Sequence, residues 1–149
     1  MAAPGGSEVS LEELQRFVSP FISYVGAELQ DGQEGVVRFR IDVAPHHTNP
    51  LGVMHGGAMA TLLDEATAIA VNTLLGWELE DRARPLLVEM NVSYLAAARP
   101  GDQLLVEGRV LRRGRQVAFA EAEARRHPDG GVIAKGRFTF VIPQGRSGE

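Results

Sequence analysis

The chain has 149 residues, a length that suits one ordinary domain with a single core and is too short for two catalytic units. Its 44% hydrophobic and 23% charged residues exclude a disordered or fibrous protein, and a net charge of −4 gives no overall pull toward nucleic acid or an anionic membrane. The absence of cysteine removes disulfides, thiolate metal sites and a cysteine nucleophile.

The first seven residues carry neither a basic nor an apolar signal region, and no apolar run reaches the ~18 residues that span a bilayer. The expected address is cytoplasmic, with no membrane and no nucleic acid among the partners. Residues 1–20 read as an N-terminal segment with a short helix. Ser10 is its cap, Glu12 and Glu13 occupy the first turn, and Leu11, Leu14, Phe17 and Val18 recur at helical spacing until Pro20. Residues 21–143 read as a single domain and 144–149 as a polar tail. From Gly35 the pattern changes to period two, with Val37, Phe39, Ile41 and Val43 on one side of a strand. Pro45 to Gly57 is a turn-rich loop, the kind of segment on which sites are built.

Residues 57–75 form the longest apolar stretch, a helix of about five turns between Gly56-Gly57 and Gly76. Asp64 and Glu65 are its only charges, so it reads as a buried central helix rather than an amphipathic one. A polar linker from Glu78 to Arg82 leads to four strand candidates, 86–95, 103–112, 116–126 and 132–142. Turns at Arg99 to Asp102, Arg113 to Arg115 and Pro128 to Gly131 separate them, which predicts an antiparallel meander. Ala118, Ala120, Ala122 and Ala124 give one strand a row of small side chains against which the apolar helix can lie. Asn91-Val92-Ser93 spells a glycosylation acceptor but falls inside a strand candidate. The expected class is α+β, an antiparallel sheet of about five or six strands around one long helix, with a further surface buried by self-association.

Gly57, at the start of that helix, offers an unpaired backbone N–H reinforced by the helix dipole, an oxyanion site in outline, although Gly56-Gly57 also reads as a plain turn. Asp64 follows seven residues later on the same face, a candidate base or else an acid paired to a nearby cation. The two are about 10 Å apart along the axis, too far for one rigid helix to bring both to one reacting centre, whereas an antiparallel second copy can. His46 and His47 are adjacent rather than at ligand spacing and no HExxH exists, which speaks against a metal site at His46, His47 and His55. GxSxG, Walker A and GxGxxG are all missing. Arg112, Arg113 and Arg115 around Gly114 form the one dense basic turn, either a phosphate grip backed by Arg109, Arg125 or Arg126, or a solvated hairpin tip.

The run from Asn49 through His55-Gly56-Gly57 to Asp64, followed by Asn91 to Leu95, Arg99 to Asp102 and Arg113 to Arg115, resembles the PaaI-like branch of the hotdog-fold acyl-CoA thioesterases over roughly residues 20–142. That resemblance implies hydrolysis of an acyl-CoA thioester, without metal or organic cofactor, in a site shared by two subunits of a homodimer or of a tetramer built as a dimer of dimers. It implies Asp64 as general base or nucleophile, Gly57 N–H polarising the carbonyl, Asn49 and His55 shaping the site, and Gly56, Leu87, Arg112, Arg113, Gly114 and Arg115 contacting substrate. Leu87 departs from the pattern, since many relatives carry Ser or Thr there. A hotdog dehydratase or isomerase using His55, and a non-catalytic acyl-CoA-binding module, stay open as rivals at this point.

Overall fold

The computed structural model describes residues 6–76, 84–128 and 130–144. The Glu78 to Arg82 linker, residue 129 of the last turn and residues 145–149 of the tail lie outside them.

Ser10 caps α1 (Leu11–Gln15) as expected, accepting the Glu13 N–H while the Glu13 carboxylate accepts the Ser10 N–H at 3.0 Å. The helix ends short of Pro20. That proline is a start rather than a stop: it opens α2 (Pro20–Val25), where its missing N–H costs nothing, behind a second cap at Ser19. Leu14 and Ile22 are both buried in the main core.

β1 (Glu28–Gln33) was not legible in the sequence, because Glu-Leu-Gln-Asp-Gly-Gln has neither apolar alternation nor β-branched residues; its pairing with β2 (Val36–Asp42) makes it a strand. After a 3-10 turn at Pro45–His47 comes the central helix α3 (Gly56–Thr73), then β3 (Leu86–Tyr94), β4 (Gln103–Arg113), β5 (Val117–His127) and β6 (Val132–Val141). The strand order is β1-β2-β4-β5-β6-β3, all neighbours antiparallel.

This corrects the expected meander. Of the four strands expected after the helix, only β4, β5 and β6 follow one another in the sheet; β3 lies at the far edge beside β6, because α3 carries the chain across the whole sheet. The connection from β3 then crosses back, and the Arg99 to Asp102 turn anchors to β2 through Val43 N–H to Asp102 C=O at 2.8 Å. Turn chemistry marks where a chain reverses, but neighbours in a sheet are chosen by long-range pairing.

The alanine row of β5 is buried beneath α3 as expected. The tightest approach lies one strand over. A Cβ at Gly108 of β4 would fall 2.5 Å from the Ala66 carbonyl oxygen and 2.6 Å from the Thr67 nitrogen, both helix backbone, which has no rotamer with which to yield. Gly108→Ala is therefore expected to push α3 off the sheet and to destabilise the fold by about 1–3 kcal/mol, measurable as a lower urea midpoint.

The sheet does not cover α3 all round. Gly57, Thr61, Asp64 and Ala68 recur at three to four residue spacing along one stripe and remain partly or fully exposed, while Ala60 and Val71 are in the core. The edge strand β3 also leaves apolar side chains open, with Leu86 61%, Val88 59% and Met90 49% exposed. No described helix is long and apolar enough to cross a membrane.

Candidate active site

The loop before α3 folds on local hydrogen bonds that its turn residues make possible. Asn49 donates its N–H to Val53 C=O and accepts from Gly52 N–H, with Gly52 at φ 76°, a conformation that favours glycine. The Asn49 side chain accepts the Leu51 N–H through Oδ1 at 3.0 Å, which fixes how the amide lies and leaves Nδ2 as a donor without a partner among the described residues. His47, buried, holds the same loop from behind: Nδ1 accepts the Ala44 N–H and Nε2 donates to Val25 C=O. Both its ring nitrogens are engaged in fastening the loop to the end of α2, so the ring is not available to a metal. His46 is exposed, its ring tilted against that of His47 at 4.1 Å. Among the described residues no three His, Asp or Glu side chains are grouped to hold a metal ion.

His55 is the N-cap of α3, its Nδ1 accepting the Gly57 N–H at 2.8 Å. With Nδ1 an acceptor, the neutral ring carries its proton on Nε2. The expectation of an unpaired Gly57 N–H is thereby corrected. Histidine is not among the usual capping residues, so nothing in the sequence marked that donor as taken. The Gly56 N–H has no partner among the described residues, and Gly56 shares a cavity with Asn49. That cavity, about 420 Å³, has Asn49, Gly56 and Tyr94 on its polar side and Val53, Met54, Met59, Leu95, Ala96, Ala97, Ala98 and Ile133 as apolar wall. Tyr94, quoted in the motif but given no role there, donates its hydroxyl to Gly56 C=O at 2.7 Å.

The two acids of α3 have opposite environments. Glu65 accepts the N–H and the hydroxyl of Ser19, at 2.7 and 3.1 Å, and so ties α3 to the start of α2. Asp64, half-buried on the uncovered stripe, has neither a cation nor a hydrogen-bond donor on its carboxylate among the described residues. Burial, and secondarily the neighbouring Glu65, push it above the usual carboxylate range. It does not line the Asn49 and Gly56 cavity. Eight residues at 1.5 Å each put it about 12 Å along the axis from Gly56.

Leu87 sits on β3 opposite Phe140, partly buried against the core, and supplies no polar group. Arg112, Arg113 and Arg115 reach solvent around Gly114, whose N–H closes the turn on Val117 C=O at 2.7 Å. None of the three pairs with an acid among the described residues. Arg112, Gly114 and Arg115 open onto a shallow cavity of about 430 Å³ beside Phe119. The other arginines do not join them. Arg109 is bound to Glu107, Arg125 to Glu123, and Arg126 to Asp102, the last two near the opposite end of β5.

The basic turn and the Asn49 loop occupy opposite ends of the molecule. Tyr94 pairs with Ala134, and Ala134 with Ala124, while Val141 at the other end of β6 pairs with Val117 beside the turn. Seven residues of strand, about 23 Å, separate those levels. The helix agrees: its C-terminal Thr73 accepts the Gly35 N–H near the turn end.

Residues 51–133 match the family model described as the thioesterase superfamily. The chain is 34% identical over 97 residues to acyl-coenzyme A thioesterase 13 of Mus musculus, covering 65% of this chain and 66% of that one. To the Homo sapiens protein of the same name it is 32% identical over 105 residues, covering 70% and 71%. It thus spans about two thirds of the length of these relatives. The solved structure of zebrafish thioesterase superfamily member 2 superposes with a TM-score of 0.75 at 31% identity, covering 89% of this chain and 94% of that one. The sheet and its long helix are the hotdog arrangement that the motif implied.

Proposed function

The chain belongs to the thioesterase superfamily, and from that premise we propose that it hydrolyses acyl-CoA thioesters to free acid and CoA in a site shared across a homodimer. The observation that carries this reading is the pair of free donors, Asn49 Nδ2 and Gly56 N–H, at one apolar-walled cavity. Two fixed donors on one side of an acyl pocket are what a thioester carbonyl needs as its oxygen becomes an anion. Gly56 rather than Gly57 takes the oxyanion role, because His55 Nδ1 already holds the Gly57 N–H. Asp64 supplies the other half, either by taking a proton from water as that water attacks the carbonyl carbon or by attacking it directly. In the first case the C–S bond then breaks and the sulfur leaves as the thiol of CoA with the proton that Asp64 took from water; in the second the thiolate leaves and takes a proton from solvent, and water then hydrolyses the acyl–Asp64 anhydride to free acid and restores the carboxylate. Because His55 is fixed as a cap with its proton pointing away from the Gly57 amide, it positions the helix start rather than carrying the acid–base step of a dehydratase.

In this reading Asp64 comes from a second chain, a choice supported by the about 12 Å of helix axis between it and Gly56 of its own chain. The free edge of β3, with its exposed Leu86, Val88 and Met90, fits an antiparallel pairing with a second β3 about a twofold axis. Such pairing sets the uncovered stripes of the two α3 helices antiparallel on one face, and brings the partner's basic turn to the end where Asn49 and Gly56 lie. One chain then contributes Asn49, Gly56 and the acyl pocket, and its partner Asp64 and the Arg112 to Arg115 turn for the CoA phosphates. Two such dimers would make the tetramer.

The test is release of free thiol from a panel of acyl-CoA substrates. Turnover on any of them is expected, and none across short, long and aromatic acyl groups would overturn the reading in favour of a binding module. Replacing Arg112, Arg113 and Arg115 together with alanine should raise KM for the responsive substrate about tenfold, with much less effect on a truncated thioester that lacks the nucleotide.

A further inference from the structure

We infer that Tyr94 is a positioning residue that, with His55, clamps the Gly56-Gly57 peptide and thereby aims the Gly56 N–H; the inference rests on the proposed thioesterase reading. Two glycines in succession are the least constrained start a helix can have, because neither has a Cβ to restrict its dihedrals. A donor that stabilises an oxyanion must nonetheless be held to within about 0.5 Å of its productive place.

The structure supplies the missing restraint from outside the glycines. The peptide plane between Gly56 and Gly57 is held at both ends: its carbonyl accepts the Tyr94 hydroxyl at 2.7 Å and its N–H donates to His55 Nδ1 at 2.8 Å. The preceding plane, which carries the Gly56 N–H, is held through the His55 carbonyl, the acceptor for Met59 N–H at 3.1 Å. With both flanking planes fixed, neither dihedral of Gly56 is free to turn. The Tyr94 ring also lies against the glycine: a Cβ at residue 56 would fall 3.2 Å from Cζ and 3.3 Å from the hydroxyl oxygen.

An exposed hydroxyl has water to bond with, so burial does not force this contact. Tyr94 is 56% exposed at the end of the edge strand and still reaches across 38 positions of sequence to Gly56. The strand places it there by register: Tyr94 opposes Ala134, which is buried, so its ring stands on the helix side of the sheet at the level of the α3 N-terminus.

Tyr94→Phe keeps the ring and removes only the hydroxyl. The expected result is a kcat about tenfold lower on a responsive acyl-CoA with KM within about twofold, since the lost bond acts on the donor in the transition state rather than on substrate binding. By NMR, the Gly56 and Gly57 amides should shift and Gly57 should exchange faster with solvent, while amides in the rest of α3 stay as they are. An unchanged kcat, or a rise in KM alone, would overturn the inference, the latter because it would make Tyr94 no more than cavity wall. If that happens while Asp64→Asn still abolishes turnover, the thioesterase reading stands and only the clamp falls. If the wild-type protein releases thiol from no acyl-CoA, the thioesterase reading has failed, and unchanged Gly57 exchange in Tyr94→Phe would dispose of the clamp independently.

Discussion

Replacing Asp64 with asparagine is expected to lower kcat at least about a hundredfold while the protein stays folded and, at neutral pH, is no less stable. The two halves of that expectation come from the same environment. The carboxylate is half-buried, without a cation or donor among the described residues, and its pKa is raised first by burial and then by Glu65. A carboxylate that binds its proton more tightly in the folded than in the unfolded chain makes stability fall as pH rises through the window between the ordinary aspartate pKa and the raised one. Above that window the ionised group is a burden on the fold, which asparagine removes at almost no change in volume. Activity runs the other way, because the ionised form is the base: turnover should fall as the pH is lowered through the raised pKa. Thiol release and thermal melting of the two proteins across pH 4–8 check both slopes. Near-normal turnover by folded Asp64→Asn would sink the mechanism, and a large loss of stability would mean that the carboxylate is a structural group after all. Glu65, one position on, has the structural signature that Asp64 lacks, with both carboxylate oxygens engaged by Ser19.

What the sequence disclosed follows the range over which each signal acts. The long helix, the alanine row beneath it and the turns at Gly114 and Gly130 rest on local patterns, and the structure has them where the patterns put them. Strand order is a matter of distant pairing: the turns alone put β3 beside β4, whereas it lies beside β6, and β1, whose residues carry no strand signal, has no local mark at all. The site divides in the same way. Asn49, His55, Gly56 and Asp64 were legible as a motif, but which glycine N–H is free depends on a histidine cap that no propensity announces. Tyr94 reaches Gly56 across the fold, and only the register of β3 against β6 puts it there. The isolation of the basic turn from Arg125 and Arg126 likewise needs the strands laid side by side, since both residues look close to Arg115 along the chain and stand near the other end of β5.

Mixing Asn49→Ala with Asp64→Ala chains should restore about a quarter of all sites, although each variant alone is severely impaired. If one chain supplies Asn49 with Gly56 and the other supplies Asp64, a mixed dimer has one site carrying both lesions and one carrying neither. Random pairing makes half the dimers mixed, and half of their sites are intact, by the symmetry of a twofold interface. A site built within one chain gives no recovery, because every site then keeps one lesion. The basic turn sharpens the experiment. It is assigned to the same chain's contribution as Asp64, since about 23 Å of strand separates it from the Asn49 end. Assayed at substrate well below KM, where a tenfold rise in KM lowers the rate about tenfold, chains with Arg112, Arg113 and Arg115 replaced should therefore give fully active sites when mixed with Asn49→Ala but none when mixed with Asp64→Ala, since in that second mixture each site lacks either the acid or the phosphate grip. Subunits have to be coexpressed, or refolded together, because a tight dimer exchanges slowly, and differently tagged chains establish that mixed dimers have formed. Recovery with Arg-turn and Asp64→Ala chains would place the two groups in different sites. Mixed dimers of Asn49→Ala and Asp64→Ala that stay as inactive as their parents would overturn the shared site, because Asp64 and Gly56 would then have to act within one chain although α3 holds them about 12 Å apart.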